Sequence, residues 1–476
     1  MKNRLRFATF IVVCIVFMCI LDKVLSQKAP EYMMMDTFYN DGSHELIDVL
    51  CIGSSHAYTS CDTEVYWNEF GIPVYCISSP SQPVDVSYYY LKEALKYCKP
   101  KVMLLEGSTI HYTQSGYDYA CGVAVSSVKK NLNRLSIALH SSKNLRLSLL
   151  SDVLFYHDRY KSVNQYDIDY IMGDKGHNTH GFNPWWNYGE GDDQLPIGYK
   201  TNETIEADAE AISYVEKIIE LCKDNDIIPI IYISPHGIGE EDQKKMNWWR
   251  QFFQNNGIAF VDGIQLVDEL EIDINNDIAK GHASYYGAGK ISEYIGSYLA
   301  EIGYVTDHRN DQKYIKWDED ANYYCSHIEQ FDYEIYRQDF KTYIAKVLQM
   351  EDVLVAVTYP GSSKTTQDDS EAVELYLKNF GISVDLDDNR PFVGLYCNDE
   401  CLFESQMEKN IFEGIFNDKP VYFMSDENGE NLIIDYRRLS KVNEKREDGI
   451  KVYVYSKLQG KCIDSRNFSL DEICTD

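Results

Sequence analysis

The sequence predicts an α/β protein built on a doubly wound parallel sheet, followed by a second, smaller α/β domain. Three observations carry that prediction. Short apolar runs alternate with helical segments from Ile47 to Leu299. The runs are largely apolar, and Ile227–Ile233 is continuously so, as strands covered on both faces are. Polar loops containing Gly and Ser follow them, where sheets of this class place their sites. A chain of 476 residues, 44% hydrophobic and 25% charged, has ample core for two or three domains and is not a disordered polymer.

At the amino end, Lys2, Arg4 and Arg6 precede an apolar run from Phe7 to Leu21, the pattern of a Sec-type signal. Those 15 residues are short for a span. Extended to Leu25, with Arg6 and Lys23 snorkelling, the run reaches the ~17–25 residues a bilayer requires. The expectation is a cytoplasmic tip and uncleaved signal-anchor helix over 1–26 and a juxtamembrane stalk over 27–45. The bulk of the chain then lies outside the cytoplasm, as a single-pass protein of the cell membrane. Val24-Leu25-Ser26 leaves signal cleavage and secretion as the alternative.

Ile47–Ile52 is the first strand, ending in Gly53-Ser54-Ser55-His56, and Asp62 is a plausible cap for the helix that follows. Val74–Ile77 and Val102–Glu106 are the next strands, with an amphipathic helix over Pro83–Tyr97 between them. From about 108 to 202 the alternation stops, in a large insertion that includes Thr179-His180-Gly181-Phe182-Asn183-Pro184-Trp185-Trp186. Long insertions at strand ends often shape binding sites. The alternation resumes with a helix (Ile205–Cys222), a strand (Ile227–Ile233), a Trp-rich helix (Asp242–Gln254), a strand (Ile258–Val261) and a helix (Tyr286–Leu299). The first domain therefore spans 46–305, a polar linker 306–332, and the second domain 333–476, with helices near Tyr336–Gln349 and Ser370–Phe380 and strands around Phe392–Cys397, Val421–Met424 and Ile450–Tyr455.

A formal charge of −30 repels phosphate backbones and argues against a nucleic-acid partner. The 38 Tyr offer rings that stack on sugars while their hydroxyls stay wet, although biased composition in an acidic secreted protein explains them equally well. Of 13 Cys, Cys51 and Cys76 fall inside apolar strands and read as buried core thiols. Cys397 and Cys401 form a C-x-x-x-C pair in a turn, a candidate small disulfide or redox pair without the second Cys/His pair that zinc requires. His177 and His180 lack a carboxylate partner pattern and read as exposed loop histidines, so no metal and no cofactor is expected.

Gly53-Ser54-Ser55 allows a tight turn into a helix start, where a Ser gains nearby N–H groups. His282 lies in a polar loop before the last helix of the same domain, Lys280-Gly281-His282-Ala283-Ser284-Tyr285-Tyr286-Gly287. A nucleophilic Ser requires such a base from elsewhere in the chain. Ile47-Asp48-Val49-Leu50-Cys51-Ile52-Gly53-Ser54-Ser55, Tyr75-Cys76-Ile77-Ser78 and His282 with Tyr286-Gly287-Ala288 together resemble the SGNH/GDSL hydrolase superfamily. The first run is similar to membrane-anchored members near the D-alanyl-transfer and alginate-acetylation proteins of bacterial envelopes. The resemblance implies a flavodoxin-like sheet with Ser55 as nucleophile, His282 as base, and the N–H groups of Ser55 and Ser78 as oxyanion donors. The family's acid position, three before the His, is Ala279 here, which leaves Asp277 as the candidate orienting acid. His56, Glu106 and His236 are candidates to line the substrate pocket.

The tail, with Ile433-Ile434-Asp435-Tyr436, Gly449-Ile450-Lys451-Val452-Tyr453-Val454-Tyr455 and Cys462-Ile463-Asp464-Ser465-Arg466-Asn467-Phe468, resembles the interleukin-like EMT-inducer domain, which implies a carbohydrate-targeting module. The two resemblances imply an extracytoplasmic serine esterase or O-acyltransferase acting on acyl, chiefly acetyl, esters of a cell-surface glycan, with envelope acyl-transfer machinery as a possible partner. The missing acid at Ala279 keeps a second reading open, a catalytically inactive scaffold that binds glycans or assists envelope assembly.

Overall fold

The computed structural model describes residues 2–26, 28, 30–110, 113, 118–140, 149, 151–161, 163, 171, 179–185, 196–326, 328, 339–361, 367–388, 390–398, 400–416, 419–426, 429–434, 437–438, 449–457, 461–470 and 473. The chain divides into two compact units, 1–163 with 170–325, and 164–169 with 326–476.

The first unit opens with α1 (Lys2–Leu25) and α2 (Pro30–Asp41). Its sheet comprises β1 (Val49–Gly53), β2 (Val74–Ser78), β3 (Val102–Glu106), β4 (Ile228–Ile233) and β5 (Ala259–Asp262), all parallel, in the order β2-β1-β3-β4-β5. That order is a doubly wound one, whose switch point lies between β1 and β3. Leu50, Ile52, Tyr75, Ile77, Met103 and Leu105 share a core with Val86 and Tyr90 of α5 (Val84–Ala94). The strands alternate, so Cys51, Cys76 and Glu106 point to the opposite face. α3 (Ser55–Ser60) and α4 (Thr63–Phe70) follow β1, and Asp62 caps α4 by accepting from Glu64 N and Val65 N. The insertion contains α6 (Asp118–Ser127), α7 (Leu132–His140) and α8 (Asp152–Phe155), where buried Arg134 pairs with Asp152 at 2.6 Å. α9 (Ala209–Asp224) and α10 (Glu240–Asn255) flank β4. After β5 come α11 (Ile274–Asp277), the two-residue strands β6 (Ile278–Ala279) and β7 (His282–Ala283), α12 (Tyr285–Ile302) and α13 (Ile315–Ser326).

Two expectations about this unit are corrected. The stretch 27–45 is not a stalk, because α2 buries Met34, Met35 and Phe38, two of which join the sheet's core. Much of 306–332 is not a linker, because α13 buries Trp317 and Tyr324, and Trp317 lies 5.8 Å from Trp67. Among the described residues no helix is long and apolar enough to cross a membrane. α1 ends inside the folded unit. Asp22 is buried, paired with Lys130 and accepting from Ser151 Oγ and Val153 N, both at 2.9 Å, and Leu25 is buried beside it. The last turn therefore belongs to the folded unit, and the remaining 15-residue run, Phe7–Leu21, reaches only ~22 Å of a ~30 Å hydrocarbon core. Phe7, Phe10, Val13 and Phe17 on that run are exposed.

The second unit has α14 (Phe340–Gln349), β8 (Val353–Tyr359), α15 (Gln367–Lys378), β9 (Phe392–Cys397), β10 (Glu400–Gln406), β11 (Lys409–Phe416), β12 (Lys419–Asp426), β13 (Gly429–Ile434), β14 (Arg437–Arg438), β15 (Ile450–Ser456) and β16 (Lys461–Phe468). An antiparallel sheet β10-β9-β8-β15-β16 buries Val353, Val355 and Val357 against Phe340, Tyr343 and Leu377 of the helices. Its other face, with Leu354, Ala356 and Tyr453, packs on Phe423 and Leu432 of the sheet β11-β12-β13-β14. Cys397 and Cys401 are free thiols. The register pairs Cys397 with Glu400 and Cys401 with Tyr396, which sends the two side chains to opposite faces and removes the expected disulfide.

Candidate functional site

Ser55, Ser78, Glu106 and His236 all lie at or just beyond the carboxyl ends of β1, β2, β3 and β4. Gly53 ends β1 because nothing larger fits: a Cβ there would lie 2.8 Å from the Cβ atoms of both Ala57 and Glu106. The chain then turns directly into α3, and Ser55 is its first residue.

His282 arrives on a hairpin. β6 and β7 pair Ala279 with His282, and Lys280 and Gly281 form the two-residue turn at φ 48° and 75°. Both values lie in the left-handed region, as this hairpin type requires, and Gly281 adopts its value without strain. The imidazole Nε2 lies 2.7 Å from Ser55 Oγ, and Nδ1 lies 3.0 Å from the Lys280 carbonyl oxygen. A carbonyl only accepts, so Nδ1 carries the proton and Nε2 offers its lone pair to the Ser55 hydroxyl. Burial lowers the His282 pKa, opposed by the Lys280 carbonyl, which favours the neutral ring.

Aromatic neighbours fix the ring's plane. His56 stacks on His282 with centroids 4.3 Å apart and planes 13° off parallel, and the His236 ring lies 4.5 Å from His56, tilted by 43°. Burial, with the two neighbouring imidazoles adding to it, holds His56 well below its ordinary pKa. His236 is oriented by its Nδ1–H donating to the Ser234 carbonyl at 2.7 Å, and its pKa is likewise lowered by burial. The indole of Trp185, from the insertion, lies 4.3 Å from the His282 ring, and its carbonyl accepts from Tyr285 N at 2.8 Å. Trp185 was not singled out from the sequence; the Trp-rich run in an insertion at a strand end was its only signal.

Two predicted roles are corrected by the geometry. Asp277 does not orient His282. Its carboxylate accepts from Asp273 N at 2.8 Å and Lys290 Nζ at 2.6 Å, which closes α11 against α12. The hairpin turn gives the imidazole a backbone carbonyl instead. Glu106 does not face a substrate pocket either. It is 1% exposed and accepts from Ser108 N, Ser108 Oγ and Ser234 N, which ties the β3 and β4 loops together. Burial pushes its carboxyl up to about 7 against the pull of those bonds.

Ser78 stands opposite Gly53 in the β1–β2 register, and its hydroxyl turns toward sulfur, 3.5 Å from Cys76 Sγ and 3.4 Å from Met34 Sδ. His180 is not an exposed loop residue. It is 1% exposed, stacks on Trp317 at 3.7 Å, and lies 3.4 Å from Asp320, with burial pulling its pKa down to about 4. His177 lies outside the described residues.

The fold and site define an α/β protein with a Ser–His pair at the carboxyl edge of a parallel sheet. No family model and no curated protein matches the chain.

Proposed function

We propose that the first unit is a serine esterase or O-acyltransferase of the SGNH type, acting outside the cytoplasm on acyl esters, chiefly acetyl, of a cell-surface glycan. The observation that supports it is the 2.7 Å contact between Ser55 Oγ and His282 Nε2. In this reading His282 takes the hydroxyl proton as Ser55 Oγ attacks the ester carbonyl carbon. The same proton passes to the leaving alcohol as the tetrahedral intermediate collapses to an acyl-Ser55. Backbone N–H groups of Ser55 and Ser78 would receive the oxyanion. Water as acceptor completes hydrolysis; a sugar hydroxyl completes transfer. The second unit, by its resemblance to the EMT-inducer domain, would supply carbohydrate targeting. The exposed apolar side chains along α1 are the support for attachment to a membrane.

The test is labelling of the full chain by a fluorophosphonate, with the adduct placed by mass spectrometry. Modification at Ser55, lost in Ser55→Ala and slowed in His282→Ala, is the expected result. A folded protein that takes up no label refutes the reading. The alternative, an inactive glycan-binding scaffold, is favoured by one observation: His282 faces a carbonyl where an active triad places a carboxylate.

A further inference from the structure

On the sheet face covered by α3, three cysteines converge from three elements. Cys51 is the middle residue of β1, Cys76 is its register partner on β2, and Cys61 is the residue that caps the end of α3. Their Sγ atoms all lie within 4.8 Å of one another, and each residue is at most 1% exposed. Hydroxyls surround them: Tyr232 Oη lies 3.6 Å from Cys51 Sγ and 3.1 Å from Ser60 Oγ, and Ser78 Oγ lies 3.5 Å from Cys76 Sγ.

We propose that Cys51, Cys61 and Cys76 form a binding site for one soft d10 metal ion, of the kind that thiolates select, Zn(II) or Cu(I). This proposal is independent of the esterase reading. Metal–sulfur bonds of ~2.3 Å at a tetrahedral or trigonal centre separate the sulfurs by about 3.8–4.0 Å. The triangle therefore closes around an ion with movements of under about 1 Å per edge, within the reach of side-chain rotation alone. Three sulfurs fill a trigonal Cu(I) site, whereas a tetrahedral Zn(II) site requires a fourth ligand, such as a water. A hard cation such as Mg(II) or Ca(II) finds too few oxygens here. Binding exchanges thiol protons for the ion, so it strengthens as pH rises. The ion would join β1, β2 and the end of α3, the helix that carries Ser55.

The experiment uses the reduced full chain under anaerobic conditions, titrated separately with Zn(II), Cu(I) and Cd(II). One equivalent is expected to bind, with proton release, a thiolate-to-Cd(II) charge-transfer band and a higher melting midpoint. Cys51→Ser, Cys61→Ser and Cys76→Ser should each weaken binding by at least ~100-fold, the scale of losing one ligand, whereas Cys98→Ser and Cys325→Ser leave it unchanged. X-ray absorption on the Zn(II)-loaded wild type should count three sulfur neighbours, a readout that needs no variant to fold. Binding that survives the three substitutions, a shell of nitrogen and oxygen only, or the absence of stoichiometric binding would each overturn the assignment. So would a disulfide joining two of the three cysteines in protein isolated without reductant.

Discussion

Asp277→Asn separates two accounts of how His282 is held. The carboxylate is buried, its side chain 3% exposed, and it accepts from Asp273 N and Lys290 Nζ. Asparagine keeps an oxygen for the backbone N–H but loses the charge. Lys290 is 38% exposed, so its ammonium recovers water when the pair is broken. The cost falls between the ~0–1 kcal/mol of an exposed pair and the ~3–5 kcal/mol of a buried one, about 1–2 kcal/mol. Reactivity should respond differently. An acid that orients a catalytic histidine is worth ~10⁴ in rate. Here Nδ1–H already donates to the Lys280 carbonyl, so Ser55 labelling should change by less than about threefold, a few tenths of a kcal/mol in barrier. The assay pairs the second-order rate constant for fluorophosphonate labelling with the melting midpoint of the same protein. A lower midpoint with a preserved rate is expected. A rate that falls ~10³-fold at an unchanged midpoint would show that Asp277 reaches the imidazole in the working enzyme, and the carbonyl-held pair would be wrong.

Because burial lowers the His282 pKa, the basic form persists into mild acid, and the acid limb of the labelling rate should fall below the ordinary ~6.5 of a histidine; an inflection at or above that value contradicts the geometry. Glu106, with its carboxyl raised to about 7, binds its proton more tightly folded than unfolded. Its contribution to stability is therefore complete below about 4.5, is lost as pH rises through about 7, and amounts to about 3 kcal/mol at most. Urea unfolding of Glu106→Gln should show a shallower decline across that window; buried Asp62, also raised to about 7, supplies the slope that remains. Gly53→Ala should cost ~1–3 kcal/mol through overpacking against Ala57 and Glu106, and by shifting α3 should slow Ser55 labelling at least ~10-fold; a well-packed variant with wild-type labelling speaks against that close approach.

The parallel strands were legible because each is a mostly apolar run that turns polar only at its carboxyl end: Val102–Glu106 coincides with its expected bounds, and the others shift by a residue or two. The Ser55–His282 pairing was legible because it rests on residue type and order along the chain, which the sheet converts into proximity. The partner of Nδ1 was not, since spacing cannot say which way a hairpin turns, and Lys280 in the left-handed region is not a conformation that its type suggests. The burial of α2 and α13 was also hidden. Their sequences mix Asp, Asn and Tyr with a few large apolar residues, and only the tertiary fold reveals that Met35, Phe38 and Trp317 face a core. His180 escaped for a similar reason, because a histidine in a polar loop gives no sign of a Trp317 face on which to stack.

The folding of α2 against the sheet also limits how far the site can range. Residues 30–41, if extended, would be a leash of about 41 Å between α1 and the sheet. Wound instead into α2, the same 12 residues cover only ~18 Å, and Asp22 locks the end of α1 to the body. If α1 is the point of attachment, as proposed above, the Ser55 edge of the sheet stays within a thin shell close to it.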